Sequence, residues 1–232
     1  MKQIDLNKEY KISKFKTNFN NDILDLIHKI SKFEINYFVS PNRGPMFLLD
    51  RTSKMQKYTL SLFNKIEPIF KEAFYQYYDY YNLNGMYIPR NNYVITEMQI
   101  GNAYDVHNDV REEDDGFSII LYVNDDFKGG KLTFKDHPIE IQPEVGMLAT
   151  FQGGYYNQHE VQLIEDGERY TIGSFWDFAD VTYKDEDLEK WKVELKGVRD
   201  QQEIQYKEWA DLKKQGYRMN PEEDRPPIKI KD

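Results

Sequence analysis

The chain has 232 residues, a formal net charge of −9 and 40% hydrophobic, 31% charged and 15% aromatic residues, which excludes a disordered chain and allows one fairly large domain with a buried core. It contains no cysteine, which excludes disulfides, thiolate nucleophiles and cysteine-held zinc or iron–sulfur centres. The acidic balance weighs against a nucleic-acid surface, and neither the opening Met-Lys-Gln-Ile-Asp-Leu-Asn-Lys-Glu nor any later run is apolar enough for a signal peptide or membrane span, so a cytoplasmic protein with no membrane association is expected.

Residues 20–32 carry Ile23, Leu26, Ile27 and Ile30 at helical spacing behind Asn20, Asn21 or Asp22 as possible caps. His28 lies one step off that apolar face. Residues 33–39 are short, aromatic and β-branched, and the Ser40-Pro41-Asn42-Arg43-Gly44-Pro45 run punctuates a loop. A second helical region covers 53–82, and Pro68 inside it predicts two helices or a kink.

From about residue 93 the pattern changes to short strands. They are expected at 93–100, 117–123, 131–135, 139–142, 147–152, 157–163 and 169–178, with Gly129-Gly130, Pro143-Glu144-Val145-Gly146 and Asp166-Gly167 at the turns. Seven or eight strands without intervening helices indicate a sandwich, barrel or jelly roll. His137 reads as a loop residue. Beyond residue 183 charged helix returns, with Leu188, Trp191, Leu195 and Val198 on one face.

His107 and Asp109 are separated by one residue, so in extended backbone both side chains leave the same face and can close on one ion. An imidazole and a carboxylate are two thirds of the two-His, one-carboxylate triad that holds non-haem Fe(II) with open positions. His159, on a later strand, can supply the third ligand; it alternates with Val161 and Leu163 on the expected inner face. Arg169 shares its strand face with Thr171 and Gly173, and small inward residues beside an arginine leave room for an anion.

In order, the chain carries Gly101, Tyr104, His107, Asp109, Leu121-Tyr122-Val123-Asn124, Gly129-Gly130, Phe134, Pro143, Gly146, Phe151, His159-Glu160-Val161, Gly167 and Arg169-Tyr170-Thr171. With these residues the stretch from Gln99 to Trp176 resembles the Fe(II)/2-oxoglutarate-dependent dioxygenases, within them the prolyl 4-hydroxylase-like group. The resemblance implies a mainly β fold with flanking helices and a double-stranded β-helix (jelly-roll) core. With the helical patterns on either side, the expected organisation is an N-terminal helical buttress of the same domain at 1–90, the catalytic core at 91–180 and a helical C-terminal extension at 181–232, of which the resemblance covers only the core.

By the same resemblance His107, Asp109 and His159 hold Fe(II) and form the catalytic centre. Arg169 binds the distal carboxylate of 2-oxoglutarate, assisted by Tyr122 and Thr171. Gln99, Tyr104 and Trp176 are further candidates for the substrate or cosubstrate pocket. The implied activity is hydroxylation of a peptidyl side chain, proline first, consuming molecular oxygen and converting 2-oxoglutarate to succinate, with ascorbate as reductant. Retention of Asp109 favours hydroxylation over halogenation.

Two other functions compete. A nucleic-acid demethylase is disfavoured because that related family places a second arginine and an asparagine shortly after the first arginine, whereas Arg169 is followed by Tyr170-Thr171-Ile172-Gly173-Ser174-Phe175. A non-catalytic jelly-roll binding or assembly module is disfavoured by retention of all three ligands with Arg169. The acidic run at 111–115 is a solvated loop or a lid.

Overall fold

The computed structural model describes residues 1–17, 22–33, 37–40, 44–50, 57–83, 87–90, 92–109, 116–178, 217–218 and 228–229. In chain order these form β1 (Lys2–Asn7), β2 (Ile12–Lys16), α1 (Asp22–Phe33), β3 (Tyr37–Ser40), β4 (Gly44–Asp50), α2 (Lys57–Tyr80), β5 (Tyr87–Pro89), β6 (Asn92–Met98) and β7 (Tyr104–His107). They continue with β8 (Phe117–Tyr122), β9 (Lys128–Gly129), β10 (Leu132–Phe134), β11 (His137–Ile141), β12 (Met147–Gln152), a 3₁₀ turn (Tyr155–Asn157), β13 (His159–Val161), β14 (Ile164–Asp166), β15 (Arg169–Phe178), β16 (Tyr217–Arg218) and β17 (Ile228–Lys229). Residues 1–179 and 180–232 are separate compact units. In the second, β16 pairs antiparallel with β17; the helix expected from residue 183 lies outside the described residues, as does the 111–115 run.

The first unit is the expected mainly β fold with flanking helices. Its large sheet runs β1-β2-β12-β8-β15-β6-β4-β3, with β5 also paired to β15, and its smaller sheet runs β11-β10-β13-β7. Alternation on β8 explains how the two faces differ. Phe117, Ile119 and Leu121 join a core with Ile23, Ile27 and Ile30 of α1 and Leu62, Ile66, Phe70 and Tyr77 of α2. The intervening Tyr122 and Ile120 join Phe151, Leu132, Phe134, Ile141 and Val161 in a second core between the sheets. Helices therefore cover one face of the large sheet and the smaller sheet covers part of the other.

Several expectations are revised. The N-terminal region is a mixed layer rather than a helical buttress, because β1 and β2 extend the large sheet by pairing onto β12 and β4 pairs onto β6. A single α2 contains Pro68. Proline removes the hydrogen bond to the carbonyl four residues back, but Pro68 and Asn64 are both exposed, so water can satisfy that carbonyl while the buried Leu62, Ile66, Phe70 and Ala73 on either side keep the helix continuous through the site. His137 is buried on β11, its ring tilted against that of Tyr10 with centroids 3.7 Å apart, and its Nε2 2.7 Å from the Tyr156 carbonyl oxygen. β13 ends at Val161, and Leu163 is exposed instead of inward.

Candidate active site

The smaller sheet makes the metal set. β13 pairs with β7 so that His159 lies directly opposite His107, and Asp109 follows β7 by two residues, its backbone N–H donating to the Gly153 carbonyl at 3.1 Å. The two imidazole centroids are 4.4 Å apart. Asp109 Oδ1 is 3.5 Å from His107 Nε2 and Oδ2 is 3.4 Å from His159 Nε2. One ligand atom from each of the three side chains falls within 4.8 Å of the others.

The imidazoles are oriented for metal binding. His107 Nδ1 lies 2.7 Å from the Asp105 carbonyl oxygen and His159 Nδ1 lies 3.0 Å from that of Asn157. A carbonyl oxygen can only accept, so each Nδ1 carries its hydrogen and each neutral ring presents a bare Nε2 lone pair inward. Phe151 packs edge-on to His159 at 4.7 Å and fixes its ring plane.

The electrostatics agree. Burial alone would raise the Asp109 pKa, but the facing His159 and His107, by charge and hydrogen bonding, together hold it well below the usual carboxylate range. Burial would lower the pKa of His159, and the charge of Asp109, the hydrogen bond with it and the Asn157 carbonyl together raise it. A pair of imidazoles against an ionised carboxylate is a donor set that fits Fe(II).

The large sheet carries a buried arginine. Arg169 opens β15, is 3% exposed, and donates from Nη1 to the Met98 sulfur at 3.2 Å. Its Nε is buried without a partner, and no carboxylate among the described residues pairs with it. The guanidinium lies over the Tyr122 ring, 5.1 Å from the centroid, and the Tyr122 hydroxyl is also buried without a partner. Thr171, also buried, is the register partner of Tyr122. Burying an unpaired cation is expensive unless an anion answers it, so a carboxylate-bearing cosubstrate fits these orphaned donors.

The Gly129-Gly130 turn packs against the arginine. Both have positive φ, and a Cβ on Gly130 would approach Arg169 Cδ to 3.0 Å and Ile164 Cδ1 to 2.6 Å. Only glycine lets the turn lie against the arginine stem.

Of the other candidates, Tyr104 stands near the metal set, its ring 5.8 Å edge-on from His107 and its hydroxyl 3.3 Å from the Met46 sulfur. Trp176 must be moved from pocket to core: seven residues from Arg169, it leaves the opposite face of β15 and stacks on Phe74 at 4.0 Å beneath α2. Gln99 is likewise not a pocket residue. It is exposed just past β6, and its amide donates to Glu97. Exposed His28 lies edge-on to Tyr170, outside the metal set.

One residue was missed. Ser118, fully buried on β8, donates a 2.6 Å hydrogen bond to Asp109 Oδ2. Its even spacing from Tyr122 would have placed it on the same inward face.

Comparison with known proteins agrees with this geometry. Residues 92–177 match the family model described as the 2OG-Fe(II) oxygenase superfamily. Rat prolyl 3-hydroxylase 2 is 27% identical over 113 residues, 47% of this chain and 15% of that protein. Human prolyl 3-hydroxylase 1 is 34% identical over 76 residues, 31% and 10% respectively. The chain thus spans only a small fraction of these relatives.

Among solved structures, a collagen prolyl hydroxylase from Paramecium Bursaria Chlorella virus-1, described as a 2OG complex, superposes with a TM-score of 0.57 at 13% identity, covering 76% of this chain and all of that one. A Pseudomonas putida prolyl-4-hydroxylase superposes at 0.51 with 19% identity, covering 73% and 94%. A prolyl hydroxylase from Trichoplax adhaerens, in complex with a hypoxia inducible factor peptide fragment, superposes at 0.55 with 14% identity, covering 73% and 84%. The fold and the ordered motif agree with the family match: residues 92–177 are similar to the 2OG-Fe(II) oxygenase superfamily.

Proposed function

We propose that this protein is an Fe(II)- and 2-oxoglutarate-dependent hydroxylase acting on a peptidyl side chain, with proline the first candidate. The observation that carries the reading is Arg169, a buried guanidinium with no carboxylate partner among the described residues and an orphaned Nε, in the same interior as the His107, Asp109 and His159 set. A structural arginine would have its own carboxylate; this one is prepared for an anion that binds from outside.

In the proposed mechanism His107 and His159 would offer Nε2, and Asp109 a carboxylate oxygen, to hold the metal. A set of only three protein ligands would leave the metal open to further ligands. When bound, iron and 2-oxoglutarate supply the oxidising chemistry, driven by decarboxylation to succinate. Arg169 grips the distal carboxylate through its planar fork, and Tyr122 and Thr171 fix that end. The aromatic walls of Phe151 and Phe134 around His159 exclude water from the reacting face. Ascorbate is the proposed reductant that keeps iron ferrous.

The similarity to prolyl hydroxylases, one of them described with a peptide, supports a proline-containing peptide as substrate. Incubation with Fe(II), 2-oxoglutarate, ascorbate, oxygen and a library of proline-containing peptides tests this. The expected result is succinate formed in step with a peptide mass gain of one oxygen atom. Purified protein that holds no iron and yields no succinate with any peptide would instead be a binding module on this fold.

A further inference from the structure

Asp109 has two carboxylate oxygens, and each faces an imidazole at nearly the same distance, 3.5 Å from Oδ1 to His107 Nε2 and 3.4 Å from Oδ2 to His159 Nε2. Nothing in the triad itself decides whether one oxygen or both would bind a metal. The difference matters, because a carboxylate binding through both oxygens occupies four of six positions together with the two histidines. A chelating 2-oxo acid would fill the remaining two, leaving none for dioxygen.

The decision is made from the other sheet. Ser118 is fully buried on the inward face of β8, and its Oγ–H donates to Asp109 Oδ2 at 2.6 Å. That is shorter than a typical neutral hydroxyl bond and ordinary for a hydroxyl donating to an ionised carboxylate, which places the bond among the strong, charge-assisted class. The hydroxyl has little freedom to leave. Ser118 is paired on both sides, with Phe151 of β12 and Phe175 of β15, so the donor rides on an interior strand of the sheet. Asp109 itself is tied back by its N–H to Gly153, whose own N–H donates to the Gly116 carbonyl two residues before Ser118. The loop that carries the ligand and the strand that carries the serine are thereby held in register.

We propose that Ser118 is a positioning residue that engages Asp109 Oδ2, so that only Oδ1 binds the metal and a third coordination position stays open. The inference rests on the Fe(II) reading of the triad. It predicts that Ser118 acts on coordination number and metal affinity rather than on the fold alone.

The test uses Co(II) and Mn(II) with the full chain under air-free conditions, so no turnover is needed. Wild-type protein must first bind Mn(II) stoichiometrically; if it does not, the metal reading itself is wrong and the serine is not yet at issue. Given that binding, Ser118→Ala is expected to bind Mn(II) about 10–100-fold more weakly, the range for loss of a supporting partner of a metal ligand. Its Co(II) absorption spectrum is expected to change, with X-ray absorption showing an added carboxylate oxygen in the first shell. Ser118→Thr, which keeps the hydroxyl, is expected to restore both. A Ser118→Ala protein with wild-type Mn(II) affinity and an unchanged Co(II) spectrum overturns the proposal, whatever its melting temperature. So does a Ser118→Thr protein that melts like wild type yet resembles Ser118→Ala in both readouts.

Discussion

His107 and His159 are register partners across β7 and β13, with ring centroids 4.4 Å apart and their Nδ1 atoms turned away to backbone carbonyls. Strand pairing, more than side-chain choice, therefore builds the metal site: β7 carries one ligand and places a second two residues beyond, and the neighbouring strand brings the third opposite the first.

The metal-free site should hold a proton that metal displaces. The His159 pKa is raised and that of Asp109 lowered, so in the folded apoprotein His159 keeps its proton, facing an ionised Asp109, up to its raised value and becomes the neutral ligand above it. The His159 contribution to stability is full below its unfolded value of about 6.5 and is lost as pH rises through the raised folded value. The Asp109 contribution is present above about 3.9 and is lost as pH falls through its depressed value. Metal requires a neutral imidazole. Calorimetric Mn(II) titration just above pH 6.5 in buffers of different ionisation heat should therefore show proton release; equal apparent heats in all buffers would contradict the charged pair.

Arg169 should set cosubstrate affinity against stability. Removing one member of a buried charge pair costs about 2–5 kcal/mol, so Arg169→Ala should weaken 2-oxoglutarate binding by roughly 30-fold or more. Arg169→Met, which fills similar space without charge, should lose the cosubstrate equally and yet raise the melting temperature of the cosubstrate-free protein, because the unpaired buried cation is gone. A lower melting temperature for Arg169→Met would mean that the guanidinium is satisfied without a ligand.

The Gly129-Gly130 turn should matter to the cosubstrate and not to the metal. A Cβ at Gly130 presses on Arg169 Cδ and Ile164 Cδ1 from a backbone with φ +64°. Gly130→Ala should thus lower 2-oxoglutarate affinity by shifting the guanidinium while Mn(II) affinity stays within a few-fold of wild type. Equal losses of both would point to general unfolding.

Trp176 separates core from pocket. Stacked on Phe74 at 4.0 Å under α2, it should behave as a core aromatic, and Trp176→Ala should destabilise the protein by about 3–5 kcal/mol in denaturant unfolding. Below the onset of unfolding, 2-oxoglutarate affinity should be unchanged; a specific loss of affinity would return Trp176 to the pocket.

Much of this was legible in the order of residues. Alternation from Phe117 to Val123 marked β8, and the expected strand limits at 147–152 and 169–178 coincide with β12 and β15. His107, Asp109, His159 and Arg169 stood out because each is a chemically demanding side chain on or beside a short strand.

What escaped was long-range. β1 and β2 mix lysine and polar residues with few apolar ones, so their strand character comes from pairing onto β12, which no local pattern reveals. Pro68 argued for a broken helix because propensity does not register that its orphaned carbonyl faces water. Trp176 and Arg169 share a strand, and only counting parity along β15 separates their faces. Ser118 was passed over because a lone serine on a strand is ordinary until Asp109 is folded against it.

The central claim is that Arg169 and the His107, Asp109 and His159 set form one cosubstrate site. Titrating 2-oxoglutarate into Mn(II)-loaded protein without oxygen, beside the Arg169→Ala and Asp109→Ala variants, tests it most directly. Saturable one-to-one binding that weakens in both variants is the predicted result; wild-type protein that binds Mn(II) but no 2-oxoglutarate, or binds it equally well without Arg169, contradicts the account.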